Sequence, residues 1–263
     1  MNIGCVQFAP FWGNKARNRN AVRDLIGTKQ ADLWVLPELF NSGYLFTHVD
    51  EVKALAEPIP DGETAQFLID FARTHHTSVI AGMAERYEDR LYNSSIMVDT
   101  SGLVSVYRKI HLFDREKLWF SPGDQSFHVS SLGAASVGMM ICFDWFFPES
   151  ARSLALQGAD IIAHPANLVL PFCQNAMVTR CLENRVFAVT TNRIGTEHRD
   201  GMTLTFTGKS QITSPNGTIL FQADDNNEIA YSCKIDLTYA RNKNVTGSNH
   251  LFDDRRPEMY RLS

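Results

Sequence analysis

The chain has 263 residues, 44% of them hydrophobic, and a formal net charge of −4. That is enough chain for one large core, while 25 basic residues against 29 acidic ones argue against nucleic acid as the main partner. No apolar run reaches membrane-spanning length, and the five scattered cysteines (Cys5, Cys142, Cys173, Cys181, Cys233) form no Cys-x-x-Cys pair, which suits a reducing compartment and argues against zinc.

In chain order, Ile3 to Phe8 alternates and stops at Ala9-Pro10, as a first strand does. It has neither the charged n-region nor the apolar h-region of a signal peptide, so a cytoplasmic location is expected. Asn14 can cap a helix running to about Thr28, with Val22, Leu25 and Ile26 on one face. Asp32 to Leu36 reads as a short buried strand ended by Pro37-Glu38, and 39–50 as a loop. A helix starts at Asp61-Gly62-Glu63-Thr64, and a strand covers Ser78 to Ala84. Leu91 to Val98 and Leu103 to Tyr107 flank Thr100-Ser101-Gly102 as a hairpin. Arg108 to Gln125 is a polar and aromatic connection.

The small apolar run Ala135 to Ile141 reads as a strand buried on both faces, followed by Cys142 and then by Pro148-Glu149 opening a helix closed by Gly158. Asp160 to Ala163 is a strand that stops at His164-Pro165-Ala166-Asn167. Residues 172–185 fit a helix and Phe187 to Thr191 a strand. Lys209 to Thr213 and Thr218 to Gln222 surround the turn Pro215-Asn216-Gly217, and Ile229 to Ile235 is a last strand. The tail from about Thr238 is polar and has little apolar surface of its own to bury. Strand–helix alternation mixed with hairpins predicts a layered α/β protein with mixed sheets. No internal repeat, linker or second domain is visible, so residues 1–263 are expected to form one domain.

Three strand ends carry an ionisable residue where the apolar run gives way: Glu38, Lys109 and Cys142. Strand carboxyl ends are where ligands bind in open α/β sheets. A thiol is mostly protonated near neutral pH and needs a base or a positive neighbour. Glu38 could take the thiol proton and later activate water, and Lys109 could stabilise the thiolate and a developing oxyanion.

The segments Leu36-Pro37-Glu38-Leu39-Phe40, Arg108-Lys109-Ile110-His111-Leu112-Phe113 and Cys142-Phe143-Asp144-Trp145-Phe146-Phe147-Pro148-Glu149 occur in the order seen in the nitrilase, or carbon–nitrogen hydrolase, superfamily. The resemblance spans the chain, from Val6-Gln7-Phe8-Ala9-Pro10 through His164-Pro165-Ala166-Asn167, Glu183-Asn184-Arg185 and Asn192-Arg193-Ile194-Gly195 to Gly208-Lys209-Ser210. It implies a four-layer α-β-β-α sandwich. It also implies Cys142 as nucleophile, Glu38 as general base and Lys109 as the cation facing the tetrahedral intermediate, with the backbone amide of Phe143 as the second oxyanion donor. The family's extra carboxylate falls on Glu116, with Asp114 as rival. Trp145 and Phe146 would line the substrate pocket, while Tyr44, Phe40 and Trp119 could be pocket or core. His111 and His164 are expected to be structural, Glu149, Arg152 and Glu183 to bond at helix starts, and Cys173 and Cys181 to pack. No cofactor or metal is expected.

Members that cleave nitriles usually carry Trp-Glu after the nucleophile, where this chain has Phe143-Asp144. That leans toward a small amide or carbamoyl compound, with an aliphatic nitrile as the alternative. Phe146 stands where branches acting on acidic amides often carry an Arg, although Arg193 or Arg199 could substitute. Lower alternatives are an acyl transferase of the same family and a non-catalytic binding protein. Family members usually associate through helical faces with C-terminal segments reaching across. A homodimer or larger even assembly is therefore expected, with about 241–263 in its contacts.

Overall fold

The computed structural model describes residues 1–260. Strand β1 (Asn2–Gln7), helix α1 (Lys15–Ile26) and strand β2 (Leu33–Val35) open the chain. Asn14 caps α1 as predicted, its side chain accepting from the Arg17 amide. Helices α2 (Val49–Leu55) and α3 (Glu63–His75) lead to β3 (Ser78–Tyr87), and β4 (Arg90–Asp99) and β5 (Gly102–Arg108) follow as a meander. Strands β1, β2 and β3 are parallel, and β4 and β5 continue the sheet antiparallel.

After the single-turn helix α4 (Glu116–Trp119) come β6 (Val129–Leu132) and β7 (Ala135–Met139), then α5 (Pro148–Leu156), β8 (Ile161–Ala166), α6 (Cys173–Asn184) and β9 (Phe187–Asn192). A hairpin of β10 (Thr196–Arg199) and β11 (Met202–Thr205) stands outside both large sheets. Strands β12 (Gln211–Thr213) and β13 (Ile219–Gln222) complete the second sheet, and β14 (Ile229–Lys234) returns to pair with β1. Helix α7 (Thr238–Arg241) follows.

Each large sheet has six strands, in the orders β14-β1-β2-β3-β4-β5 and β13-β12-β9-β8-β7-β6. Their inner faces pack on each other: Ile3, Cys5, Leu33, Val35 and Ile80 meet Val137, Met139, Ile161, Ala163 and Val189 in one cluster. Fully burying each such aliphatic side chain is worth about 1.5–3 kcal/mol, which holds the sheets face to face. Helices α1 and α3 cover the first sheet through Val22, Ile26, Leu68 and Phe71, and α5 and α6 cover the second through Leu154, Met177 and Cys181. The layers run α-β-β-α, as the resemblance implied.

Three local expectations are corrected, and the start of the tail has contacts of its own. The segment 39–50 is not all loop, because α2 begins at Val49; with only Val52 fully buried, it has no apolar stripe to read. Strand β8 runs on through His164-Pro165-Ala166. Its pairing with β7 ends at Ala163 while that with β9 continues, so the proline sits where one side of the ladder is already unpaired. The hairpin β10–β11 was not predicted, although Asp200-Gly201, both with positive φ (48° and 72°), is a two-residue hairpin turn. The start of the tail packs on its own chain. Arg241 pairs with Asp160, and Lys243 Nζ donates to the carbonyls of Asn184 and Arg185 at the end of α6.

Candidate active site

The polar residues singled out in the sequence meet where the parallel strands of both sheets end. Glu38 lies on a stretch that continues past β2 along β3: the Phe40 amide donates to the Gly82 carbonyl, and the Gly82 amide donates to that of Pro37. A Cβ on Gly82 would lie 2.5 Å from Glu38 Cα, so this glycine is what lets the backbone pass. Lys109 follows β5 directly. Cys142 opens a 3-10 turn, Cys142–Phe146, with φ 40°, a strained conformation for a residue with a side chain.

Lys109 Nζ donates to Glu38 Oε1 at 2.6 Å and to Glu116 Oε1 at 2.7 Å. Both partners of the first pair have wholly buried side chains. Asn93 Nδ2 donates to the same Glu38 oxygen at 2.7 Å, and Glu38 Oε2 has no hydrogen-bond partner among the described residues. Burial pushes the Glu38 carboxyl up, the Lys109 ammonium pulls it back and Glu116 pushes it up again, to about 7. Burial works against the Lys109 charge, but Glu116 and Glu38 outweigh it and hold the ammonium above its ordinary value. Burial also raises the Cys142 thiol; Glu38 adds to this and Lys109 offsets it only in part, so the thiol lies well above its usual range. The resting group is therefore a thiol, not a thiolate. Its proton has to move when it reacts, and a carboxyl poised near neutrality is suited to receive it.

A model of the carbon-nitrogen hydrolase family matches residues 2–243. The chain belongs to the carbon-nitrogen hydrolase family. It is 48% identical over 263 residues to a protein of Pyrococcus abyssi named nitrilase, covering 99% of each chain. It is 36% identical over 242 residues to an (R)-stereoselective amidase of a Pseudomonas species, covering 90% of this chain and 85% of that one. A crystal structure of a carbon-nitrogen hydrolase from Helicobacter pylori G27 superimposes with a TM-score of 0.86 at 24% identity, covering 99% of this chain and 97% of that one, and shares its fold.

Of the two candidate carboxylates in this carbon-nitrogen hydrolase, Glu116 is the one at the Lys109 ammonium; Asp114 is exposed. Phe143 is half-buried, and Trp145 is 7% exposed; both border a space of about 20 Å³ beside Cys142, together with Phe113, Asn167 and Leu168. Phe146 does not line it. Its ring is 51% exposed and packs against Phe143 and Trp145, because the tight turn sends neighbouring side chains in different directions. Arg193 is paired with Glu197, and Arg199 with Glu51, so each guanidinium already has its own carboxylate. Phe40 is core, Trp119 is half-buried, and Cys173 and Cys181 are buried packing residues.

His164 and His111 brace the site. His164 Nε2 donates to the Cys142 carbonyl at 2.9 Å, and burial lowers its pKa to about 4, so it holds the turn as a neutral ring. His111 Nδ1 lies 2.8 Å from Asp144 Oδ1 and its ring stacks on Phe147. Asp144 also accepts from the Ile141 and His111 amides and from the Tyr107 hydroxyl, tying the Cys142 turn to the Lys109 loop. Arg152 is corrected: it donates to the Glu183 carbonyl near the end of α6, not at a helix start. Glu183 itself pairs with Arg180 one turn back, and Glu149 is exposed.

Two contact residues, Asn93 and Asn167, were missed from the sequence, and the polar contact of a third, Tyr44, was not foreseen. Asn93 sits in mid-strand with no distinguishing neighbour. Asn167 Nδ2 donates to the Glu38 carbonyl at 2.9 Å, and its place just past the strand ending at Ala166 was a usable signal. The Tyr44 hydroxyl donates to Glu116 Oε1 at 2.7 Å. Among the described residues no cluster of His, Cys, Asp and Glu could hold a metal ion. A cavity of about 460 Å³ opens between Arg185 and Tyr239 and is lined by none of these site residues.

Proposed function

We propose that this carbon-nitrogen hydrolase cleaves the C–N bond of a small amide or carbamoyl compound through a cysteine acyl-enzyme. The observation that carries the reading is the buried Glu38–Lys109–Glu116 cluster, in which one oxygen of Glu38 has no hydrogen-bond partner among the described residues, together with Cys142 buried at the same strand ends. Glu38 takes the Cys142 proton as sulfur attacks the carbonyl carbon. Lys109 and the Phe143 amide stabilise the oxyanion. Glu38 then returns the proton to the leaving nitrogen, ammonia departs and a thioester remains. Glu38 takes a proton from water as the water oxygen attacks the thioester carbon, the C–S bond breaks, Glu38 returns the proton to the Cys142 sulfur, and the acid is released. Glu116 holds the Lys109 ammonium in place, and Trp145 borders the reacting group.

The prior engagement of Arg193 and Arg199 supports a neutral substrate, since a free carboxylate would want an unpaired guanidinium. The 48% identity to a protein named nitrilase favours a nitrile as the second reading. Ammonia release across short aliphatic amides, carbamoyl amino acids and nitriles separates the two. Intact-mass spectrometry should show an acyl adduct lost in Cys142→Ala. If no adduct forms and that variant matches wild type in ammonia release, the catalytic reading fails.

The whole chain is proposed to be one catalytic domain in the cytoplasm, consistent with five free cysteines. A homodimer through the outer face of α5 and α6 is also proposed. It is supported by Leu156 and Leu182, 43% and 53% exposed there.

A further inference from the structure

The space beside Cys142, about 20 Å³, holds little more than the reacting carbonyl. Phe113 forms part of its wall and also part of a second cavity of about 290 Å³, whose other side is the β10–β11 hairpin. Tyr44 and Glu116 border this second cavity next to Lys109, and Trp119, Met202 and Leu204 face them. The two spaces also share a scaffold: past β11, the Thr207 amide donates to the carbonyl of Leu168, which borders the thiol.

Apart from the charges of Asp114 and Arg115, the polar side chains around the larger cavity are already engaged. Glu116 Oε1 accepts from Lys109 and Tyr44, and its Oε2 accepts from the Phe113 amide. The Thr203 hydroxyl is bonded to His198. The charged residues Asp114 and Arg115 are exposed at the rim. What remains for a ligand is aromatic and aliphatic surface.

The hairpin is a fixed wall. Alternation puts Glu197, Arg199, Met202 and Leu204 on one face, and the register pairs Glu197 with Leu204 and Arg199 with Met202. Glu197 accepts from the Leu45 amide at 2.6 Å and from the Tyr44 amide at 3.2 Å. Arg199 donates to the Leu45 carbonyl and to Glu51. These bonds fix Met202 and Leu204 relative to Tyr44, and through it to Glu116.

We propose that this cavity is the specificity subsite of the enzyme: it takes an uncharged aliphatic or aryl group carried by the amide, and Met202 and Leu204 set the size of that group. This rests on the amide reading above. The test compares acetamide, butyramide, hexanamide and phenylacetamide with wild type and with Met202→Trp and Leu204→Trp, both half-exposed positions able to accept a larger side chain. One methylene in an apolar pocket changes kcat/KM by about tenfold or more. Each variant should therefore lose at least about tenfold on hexanamide and phenylacetamide and keep acetamide within about twofold. Equal loss on all four amides, or no loss on the larger two, overturns the subsite. If wild type releases ammonia from no amide, the amide reading fails. The subsite is then judged by calorimetric binding of hexanamide to Cys142→Ala, which Leu204→Trp should abolish; binding unchanged by that substitution overturns it.

Discussion

Glu38 concentrates the chemistry in one side chain. Its Oε1 is held by Lys109 and Asn93 and its Oε2 is left free, so one oxygen positions the group while the other can exchange a proton. As the proposed base it works only when ionised, and burial with its neighbours sets that transition at about 7. kcat/KM should therefore fall with unit slope as pH drops below about 7, read from initial rates of ammonia release. Glu38→Gln should cost about 10²–10⁴-fold and abolish this limb; a variant that kept the limb would move the base elsewhere. The three principal residues were legible because each ends an apolar run and carries a quoted motif around it. Asn93 was not, since a polar residue in mid-strand reads the same whether it faces solvent or a buried carboxylate. Phe146 was misjudged because closeness in sequence to Cys142 says nothing about direction in a 3-10 turn.

The elements act through close approach. Strand β3 carries Glu38 on its edge, and Gly82 is the point of contact. Gly82→Ala would drive a methyl group into the Glu38 backbone, which cannot move aside as a flexible side chain can. It should lower stability by about 1–3 kcal/mol in urea unfolding and reduce kcat. Gly247→Ala, with nothing within 4 Å of the added carbon, should leave both unchanged. Most elements were readable from periodicity and turn residues. The hairpin β10–β11 was signalled only by Asp200-Gly201, because its strands are four residues each and lie outside the sheets. The extension of β8 was hidden because Pro165 reads as a stop unless the pairing on each side is known.

At the scale of the whole molecule, the two sheets repeat one plan: three central parallel strands, one antiparallel strand on one side and two on the other. Joining them inner face to inner face buries two titrating groups of opposite effect. His164, ordinarily 6.5 and about 4 when folded, gives stability that is full above about 6.5 and lost as pH falls toward 4. Glu38, ordinarily 4.5 and about 7 when folded, gives stability that is full below about 4.5 and lost as pH rises through 7. Between pH 7 and pH 5 each is worth about 2 kcal/mol and they oppose one another. Glu38→Gln should therefore lose about 2 kcal/mol more than wild type on going from pH 7 to pH 5, measured by urea unfolding; an equal loss would refute the compensation. Light scattering should give an even multiple of the 29.6 kDa chain, and a monomeric mass would defeat the proposed dimer.

The amino-acid sequence by itself determined the layered α/β class and the family resemblance, and it singled out Glu38, Lys109 and Cys142 as candidates, because apolar periodicity and motif order are properties of the linear chain. Only the tertiary structure decided what those residues touch: which oxygen of Glu38 is free, that Glu116 and not Asp114 meets the ammonium, that Arg193 and Arg199 are already paired, and that the hairpin walls a cavity bordered by Tyr44 and Glu116. Protonation, pairing and pocket shape depend on burial and on distances of a few ångströms between segments far apart in the chain, such as Leu45 and Glu197, 152 residues apart, and no local pattern encodes those.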